Sequence, residues 1–290
     1  MTDRRLLVVH AHPDDEVLST GGLLARHCAQ GDQVTLMTCT LGEEGEILLP
    51  DIAHLAAHDQ DDLGSHRIDE LADSMRALGV TDSRLLGGPG TYRDSGMMGE
   101  PSNDRPNCFW RADLREAADH LVAVIRETRP QVMVTYDDFG GYGHPDHIQT
   151  HRVATYAADL AAVRSYRPDL GAPWAVSRIF WTAFPKSSIR AGIEALKAAG
   201  DSSEFAAMDP DDLPFAVDDD AVDAVIDIEE YLPAKRAAMA AHASQINLEE
   251  GFFALSNNLG SPVFGQEYFR LARGSLAGRR PLTDLFSGLE

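Results

Sequence analysis

Two short stretches concentrate the chemistry of this chain. The first is His10-Ala11-His12-Pro13-Asp14-Asp15-Glu16, directly behind the apolar run Leu6 to Val9. The second is Gly141-Tyr142-Gly143-His144-Pro145-Asp146-His147, behind Val132-Met133-Val134-Thr135-Tyr136. Neutral imidazole and carboxylate suit zinc, whose catalytic sites usually keep three protein ligands and one open position. His12, Asp15 and His147 would make such a set, two nitrogens and one oxygen with net positive charge left over. A centre of that charge lowers the pKa of water to about 7. Asp14, next to a ligand but aimed elsewhere, could then take the water's proton. The same donors also serve ferrous iron.

Each cluster has a plainer reading. His-Pro-Asp makes turns, and Asp-Asp commonly caps the helix that follows. His144 and His147 are three apart around Pro145, so both need not bind one ion. His147 and His151 would share a helix face as a competing pair. The metal gains support because the clusters form complementary halves behind separate strands.

For these halves to meet, the intervening chain must bring two strand ends together. Leu6 to His10, a helix from about Ser19 to Gln30 and a strand at Val34 to Thr38 read as a βαβ unit, hence parallel strands and a right-handed crossover. Ligand-binding groups in such sheets collect beyond the carboxyl ends of strands. Ile68, Leu71, Met75 and Leu78 mark one apolar helix face, with Arg67 near that helix's start. Leu85-Leu86 suggests a short strand, and the stretch from Gly87 to Cys108 a long functional loop. Leu114 to Arg129 reads as a helix stopped by Pro130, Val132 to Tyr136 as a strand, and Pro145 to Ala162 as a helix with proline in its first turn. Farther on, Ser177 to Thr182 and Val222 to Ile228 read as strands. Ser188 to Ala199 and Leu232 to Ile246 read as helices, and Asp201 to Asp220 as an acidic excursion. The expected fold is α/β, a mainly parallel Rossmann-like sheet flanked by helices with a less regular C-terminal portion. Residues 1–165 would form the metal-binding core and 166–290 would complete the sheet and the substrate cleft, within one continuous domain.

The 290 residues are 44% hydrophobic, enough for a substantial core, and carry a formal net charge of -21. Such acidity repels phosphate backbones and anionic membranes, which disfavours nucleic-acid and membrane partners. The first turn lacks G-x-G-x-x-G, and its acids would repel a pyrophosphate, so dinucleotide binding is rejected. Three cysteines without a CxxC pair, no basic leader and no membrane-length apolar run lead to the expectation of a cytoplasmic protein.

Together, Ala11-His12-Pro13-Asp14-Asp15-Glu16 and Gly143-His144-Pro145-Asp146-His147 resemble the LmbE-like, or PIG-L, family of zinc-dependent de-N-acetylases. Thr40 to Glu46, Arg93 to Met97, Gly140 to His144 and Ala254 to Leu259 are similar to the branch that removes acetate from N-acetylglucosaminyl-inositol in mycothiol biosynthesis. The resemblance implies His12, Asp15 and His147 as zinc ligands and Asp14 as general base. It further implies His144 as stabiliser of the tetrahedral intermediate or acid for the departing amine, and Tyr142 as a group that polarises the amide carbonyl. Glu46, Arg67 and Asp94 match positions implied to hold the sugar-inositol, a small-molecule amino-sugar substrate. Acids and Arg are suited to a polyol through paired hydrogen bonds. A related activity in the same superfamily is cleavage of thiol conjugates of mycothiol. Gly143 beside His144 and the Arg93-Asp94-Ser95-Gly96 loop favour the deacetylase. A non-catalytic sugar- or metal-binding protein is the reading from another class. Asp14 counts against it, since three ligands suffice for binding.

Overall fold

The computed structural model describes residues 3–200, 202, 204–249 and 265–289. Its first half follows the alternation expected of an α/β chain: β1 (Arg5–His10), α1 (Asp15–Ser19), α2 (Gly21–Ala29), β2 (Gln33–Thr38), α3 (Leu63–Leu78), β3 (Asp82–Leu85), α4 (Leu114–Thr128), β4 (Val132–Thr135) and α5 (Pro145–Ala162). The second half adds β5 (Arg178–Pro185), α6 (Lys186–Ala198), α7 (Glu204–Ala207), β6 (Ala216–Val217), β7 (Ala224–Asp227), α8 (Leu232–Ala241) and β8 (Gln266–Arg273).

The strands lie in the order β3-β2-β1-β4-β5-β8-β7, with β6 pairing β5 off that path. From β3 through β5 every pairing is parallel. β8 runs antiparallel between β5 and β7. The chain winds outward from β1 to β2 and β3, then returns to place β4 on the other side of β1. That reversal between β1 and β4 is a topological switch point, where crossovers diverge and leave a crevice at the carboxyl ends.

Side-chain alternation explains why β1 reads as an unbroken apolar run. Leu6 and Val8 join a core with Leu23, Leu36, Met75 and Phe269 on one face. Leu7 and Val9 join Phe109, Leu121, Met133 and Val153 on the other. A central parallel strand is buried on both faces, so the polar alternation of a half-exposed strand is missing. The α/β expectation therefore stands.

Several boundaries differ from expectation for local reasons. The helix expected over 19–30 is α2, and a separate short helix, α1, precedes it within the acidic turn, with the corner between them at Thr20, where φ is -138°. Thr20 Oγ1 donates to the Glu16 carbonyl at 2.8 Å and meets His10 Nε2 at 2.9 Å, which fixes the corner. The helix expected to reach Ile246 ends at Ala241. There His242 and Ser244 are drawn inward by buried carboxylates, with His242 Nε2 2.7 Å from Glu16 Oε1 and Ser244 Oγ donating to Glu70 Oε2 at 2.7 Å. The acidic excursion holds α7 and the short β6 rather than loop alone. β8 is an additional strand, and Ala254 to Leu259 lie outside the described residues. Among the described residues no helix is long and apolar enough to cross a membrane.

A candidate metal centre at the switch point

The turn after β1 and the loop after β4 face each other across this crevice. Ala11 N–H donates to the Tyr136 hydroxyl at 3.0 Å, and His10 Nδ1 meets the same oxygen at 2.9 Å, so the strand ends are locked together. Tyr136 in turn stacks on His147, with ring centroids 4.2 Å apart and planes inclined by 17°.

Asp15 lies between the two histidines named with it from the sequence. Its Oδ2 is 3.3 Å from His12 Nδ1 and its Oδ1 is 3.4 Å from His147 Nε2. The His12 backbone N–H also donates to Asp15 Oδ2 at 2.8 Å, a local bond that aims the carboxylate inward. His12, His144 and His147 bring ring nitrogens within 4.8 Å of one another, and His12, Asp94 and Asp146 form a second compact donor set. His151 stands apart from both, with its Nδ1 3.1 Å from the Tyr136 carbonyl.

His147 provides the test of whether a cation fits. Its Nε2 is buried and makes no hydrogen bond. Burial pushes the ring's pKa down to about 4, against the attraction of Asp15, so the imidazole is neutral and can offer a lone pair. A bare buried nitrogen costs about 1–3 kcal/mol, and a cation shared with Asp15 would remove that cost. The surrounding carboxylates point the same way. Burial disfavours a charged His12, yet Asp94, Asp146 and Asp15 together hold its pKa well above the ordinary value. The donors thus provide negative charge awaiting a positive partner, and they fit a divalent metal.

Asp14 occupies backbone that non-glycine residues rarely adopt, with φ 115°. Two bonds hold it there: its N–H donates to Glu16 Oε2 at 2.9 Å, and Arg67 Nη2 donates to its Oδ2 at 2.9 Å. Arg67 is buried, also donating to the Pro13 carbonyl and, at 2.8 Å, to that of Gly42. Burial raises the Asp14 pKa from 3.8 to about 6, with Arg67 pulling the other way and Asp15 adding to the rise.

His144 is the N-cap of α5, its Nδ1 accepting from the Asp146 N–H at 3.1 Å. Its proton therefore sits on Nε2. Burial, with His12 and His147 adding to it, pushes its pKa down to about 3, so it is a neutral donor rather than a cation. Tyr142 rides on a turn whose neighbours Gly140, Gly141 and Gly143 all have positive φ. It stays partly exposed, its ring 4.9 Å from that of His147. Asp94 approaches His12 Nε2 at 3.5 Å and accepts from the backbone N–H groups of Gly96 at 2.8 Å and Glu44 at 3.1 Å. Glu46 is exposed and lines a separate hollow of mixed character, with Glu44, His58 and Arg105 beside Ile47, Ala53 and Ala56. The structure thus gathers eight of the nine residues singled out above and leaves Glu46 at the margin.

Sequence reasoning gave no role to Asp146, Glu16 or His242. Asp146 Oδ2 lies 3.2 Å from His12 Nε2 and accepts from Ser95 N–H at 2.9 Å. Glu16 Oε1 accepts from Ser74 Oγ at 2.8 Å and meets His242, so the Asp14 turn rests on α3 and the end of α8. Asp146 was visible within its motif. The partners of Glu16 lie too far along the chain for spacing to reveal them.

The family model described as PIG-L, GlcNAc-PI de-N-acetylase, matches residues 7–158. The chain belongs to the PIG-L family. The matched span contains both histidine clusters of this PIG-L chain. A protein of Geodermatophilus obscurus named 1D-myo-inositol 2-acetamido-2-deoxy-alpha-D-glucopyranoside deacetylase is 59% identical over 288 residues, 99% of this chain and 98% of its own. A Nocardioides protein of the same name is 58% identical over 299 residues, covering 99% of both chains. Among solved structures, N,N'-diacetylchitobiose deacetylase from Pyrococcus horikoshii superposes with TM-score 0.62 at 19% identity, over 92% of this chain and 83% of that one. That likeness bears on the fold of this PIG-L protein alone.

Proposed function

We propose that this protein hydrolyses the N-acetyl group of 1D-myo-inositol 2-acetamido-2-deoxy-α-D-glucopyranoside, the N-acetylglucosaminyl-inositol of mycothiol biosynthesis, releasing acetate and the free amino sugar. The observation that carries this reading is the 59% identity, over 99% of the chain, to a deacetylase of that compound. Residues 1–165 and 166–290 act as one continuous domain in this reading, supported by a single sheet that draws strands from both. The cytoplasm is the proposed location, in keeping with three free cysteines.

His12, Asp15 and His147 would hold the metal, zinc in the first instance, with ferrous iron suited to the same donors. Bound there, the metal supplies Lewis-acid activation of water and of the amide carbonyl. Asp14 removes the proton of the attacking water. Arg67 occupies its Oδ2, leaving Oδ1 for that proton. The Tyr142 hydroxyl and the His144 Nε2–H donate to the carbonyl oxygen as it gains charge, the kind of preorganised support that lowers an acyl-transfer barrier. Asp14 then returns its proton to the departing nitrogen. Arg67 and Asp94 bind hydroxyls of the sugar-inositol, and Glu46 meets its far end from the neighbouring hollow.

Acetate release from this substrate should stop on chelation and return with added zinc. His147→Ala should weaken metal binding by about a hundredfold or more, beyond the 10–100-fold typical of losing an outer partner. Retention of tight, stoichiometric metal by that variant would remove His147 from the ligand set.

A further inference from the structure

The acidic excursion returns to the sheet at β6, which pairs with the end of β5 so that Phe184 lies beside Ala216 and Pro185 beside Val217. Phe184 and Phe215 meet edge to face, with ring centroids 5.9 Å apart. With Leu18, Thr182 and Val217 they wall a cavity of about 280 Å³. Asp15, Tyr142 and His147 also line it, whereas His12, Asp14, Arg67 and Asp94 do not. The reactive centre therefore has two unlike sides. Charged groups gather on one, and an apolar cavity opens on the other.

We propose that this cavity is an acyl pocket that admits unbranched N-acyl groups of roughly four to six carbons, so that the enzyme is a short-chain N-deacylase rather than a strict deacetylase. The inference rests on the hydrolytic reading above. Tyr142, assigned there to the carbonyl oxygen, lines the cavity with Asp15 and His147, which places the scissile carbon at its mouth. The nitrogen carries a polyol, and its hydroxyls match Arg67 and Asp94. The other substituent of the carbonyl must then extend toward Leu18, Phe184, Phe215 and Val217. An apolar cavity of roughly 150 Å³ suffices for a benzene ring, so the methyl of an acetyl group leaves most of this space unused. Each methylene moved from water into such a wall strengthens binding about fourfold. The chemistry is unchanged: water adds to the carbonyl carbon, the C–N bond breaks, and the products are a short-chain carboxylate and the protonated amine.

The test is a series of N-acetyl, N-butyryl and N-hexanoyl glucosaminyl-inositols given to the metal-loaded native enzyme, with free amine as the readout. The expected result is kcat/KM for the butyryl compound no lower than one-tenth of the acetyl value. A lower figure overturns the proposal. Val217→Trp, which fills the cavity from β6, should lower the butyryl-to-acetyl ratio at least threefold, and a smaller change refutes the assignment of this wall. Calorimetry of hexanamide against acetamide decides the pocket without turnover. Binding at least tenfold tighter for hexanamide supports it, and a smaller difference overturns it. Failure to cleave even the acetyl compound would instead count against the hydrolytic reading.

Discussion

Replacing Asp14 with Asn should make the metal-free protein more stable and the enzyme nearly inactive. Burial and the neighbouring Asp15 outweigh Arg67, lifting the carboxyl from 3.8 to about 6. That rise corresponds to about 3 kcal/mol favouring the protonated form, with the attraction of Arg67 already included. The side chain is 21% exposed, and solvent screening reduces the expected gain to about 1–2 kcal/mol. The native state holds this proton more tightly than the unfolded chain does. The stabilising contribution is therefore complete below pH 3.8 and is lost as pH rises through about 6. Asparagine mimics the neutral carboxyl, accepts from Arg67 at the same place and tolerates positive φ better than most residues. Urea unfolding of chelator-treated proteins should show the variant ahead by about 1–2 kcal/mol near neutral pH, with the difference vanishing toward pH 4. Turnover of the metal-loaded variant should fall roughly 10²–10⁴-fold, the usual worth of a general base. A variant less stable than the parent near neutrality would refute the electrostatic argument, and one keeping more than a tenth of its turnover would refute the role.

Two other substitutions probe the supports of the site. Gly42 has φ 66°, and a Cβ there would overlap Arg67 Nη1. Gly42→Ala should displace that guanidinium and raise KM about 10–100-fold, with metal content unchanged; an unaltered KM would separate Arg67 from substrate binding. Glu267 is buried on β8, where its oxygens accept the Gly22 and Leu23 N–H groups, each at 2.8 Å, and pair with Lys235 Nζ at 2.8 Å. Glu267→Ala leaves the buried Lys235 ammonium the Leu18 carbonyl at 2.9 Å but takes away its Glu267 counter-charge, strips two helix N–H groups of their acceptor, and should cost about 3–5 kcal/mol by urea denaturation. A loss below 1 kcal/mol would mean that water reaches this pair.

The parts of the molecule legible in the sequence are those that depend on local pattern. The run at Leu6–Val9 and the spacing of Leu71, Met75 and Leu78 each report a core face, and β1 and α3 form there, with Ile68 only half-buried at that face's edge. His12, Asp14 and Asp15 could be read because one turn carries all three. β8 escaped notice because Glu267 occupies an inward position that an apolar residue normally fills, and its burial is made tolerable by distant partners, Lys235 and the Gly22 and Leu23 N–H groups. The bond between Glu16 and His242 spans 226 positions and leaves no periodic trace. The break at Thr20 was equally hidden, since it depends on a contact with His10 rather than on a helix-breaking residue.

The antiparallel strand β8 has a consequence for synthesis. As the ribosome releases the chain from its amino end, the motif at 12–16 emerges first, yet its Glu16 awaits His242 and the first turn of α2 awaits Glu267. A nascent polypeptide that stops before residue 241 therefore lacks the Glu267 anchor of α2. Catalytic competence should arrive only once β8 has been made, and truncation ahead of β8 should silence a motif more than two hundred residues away.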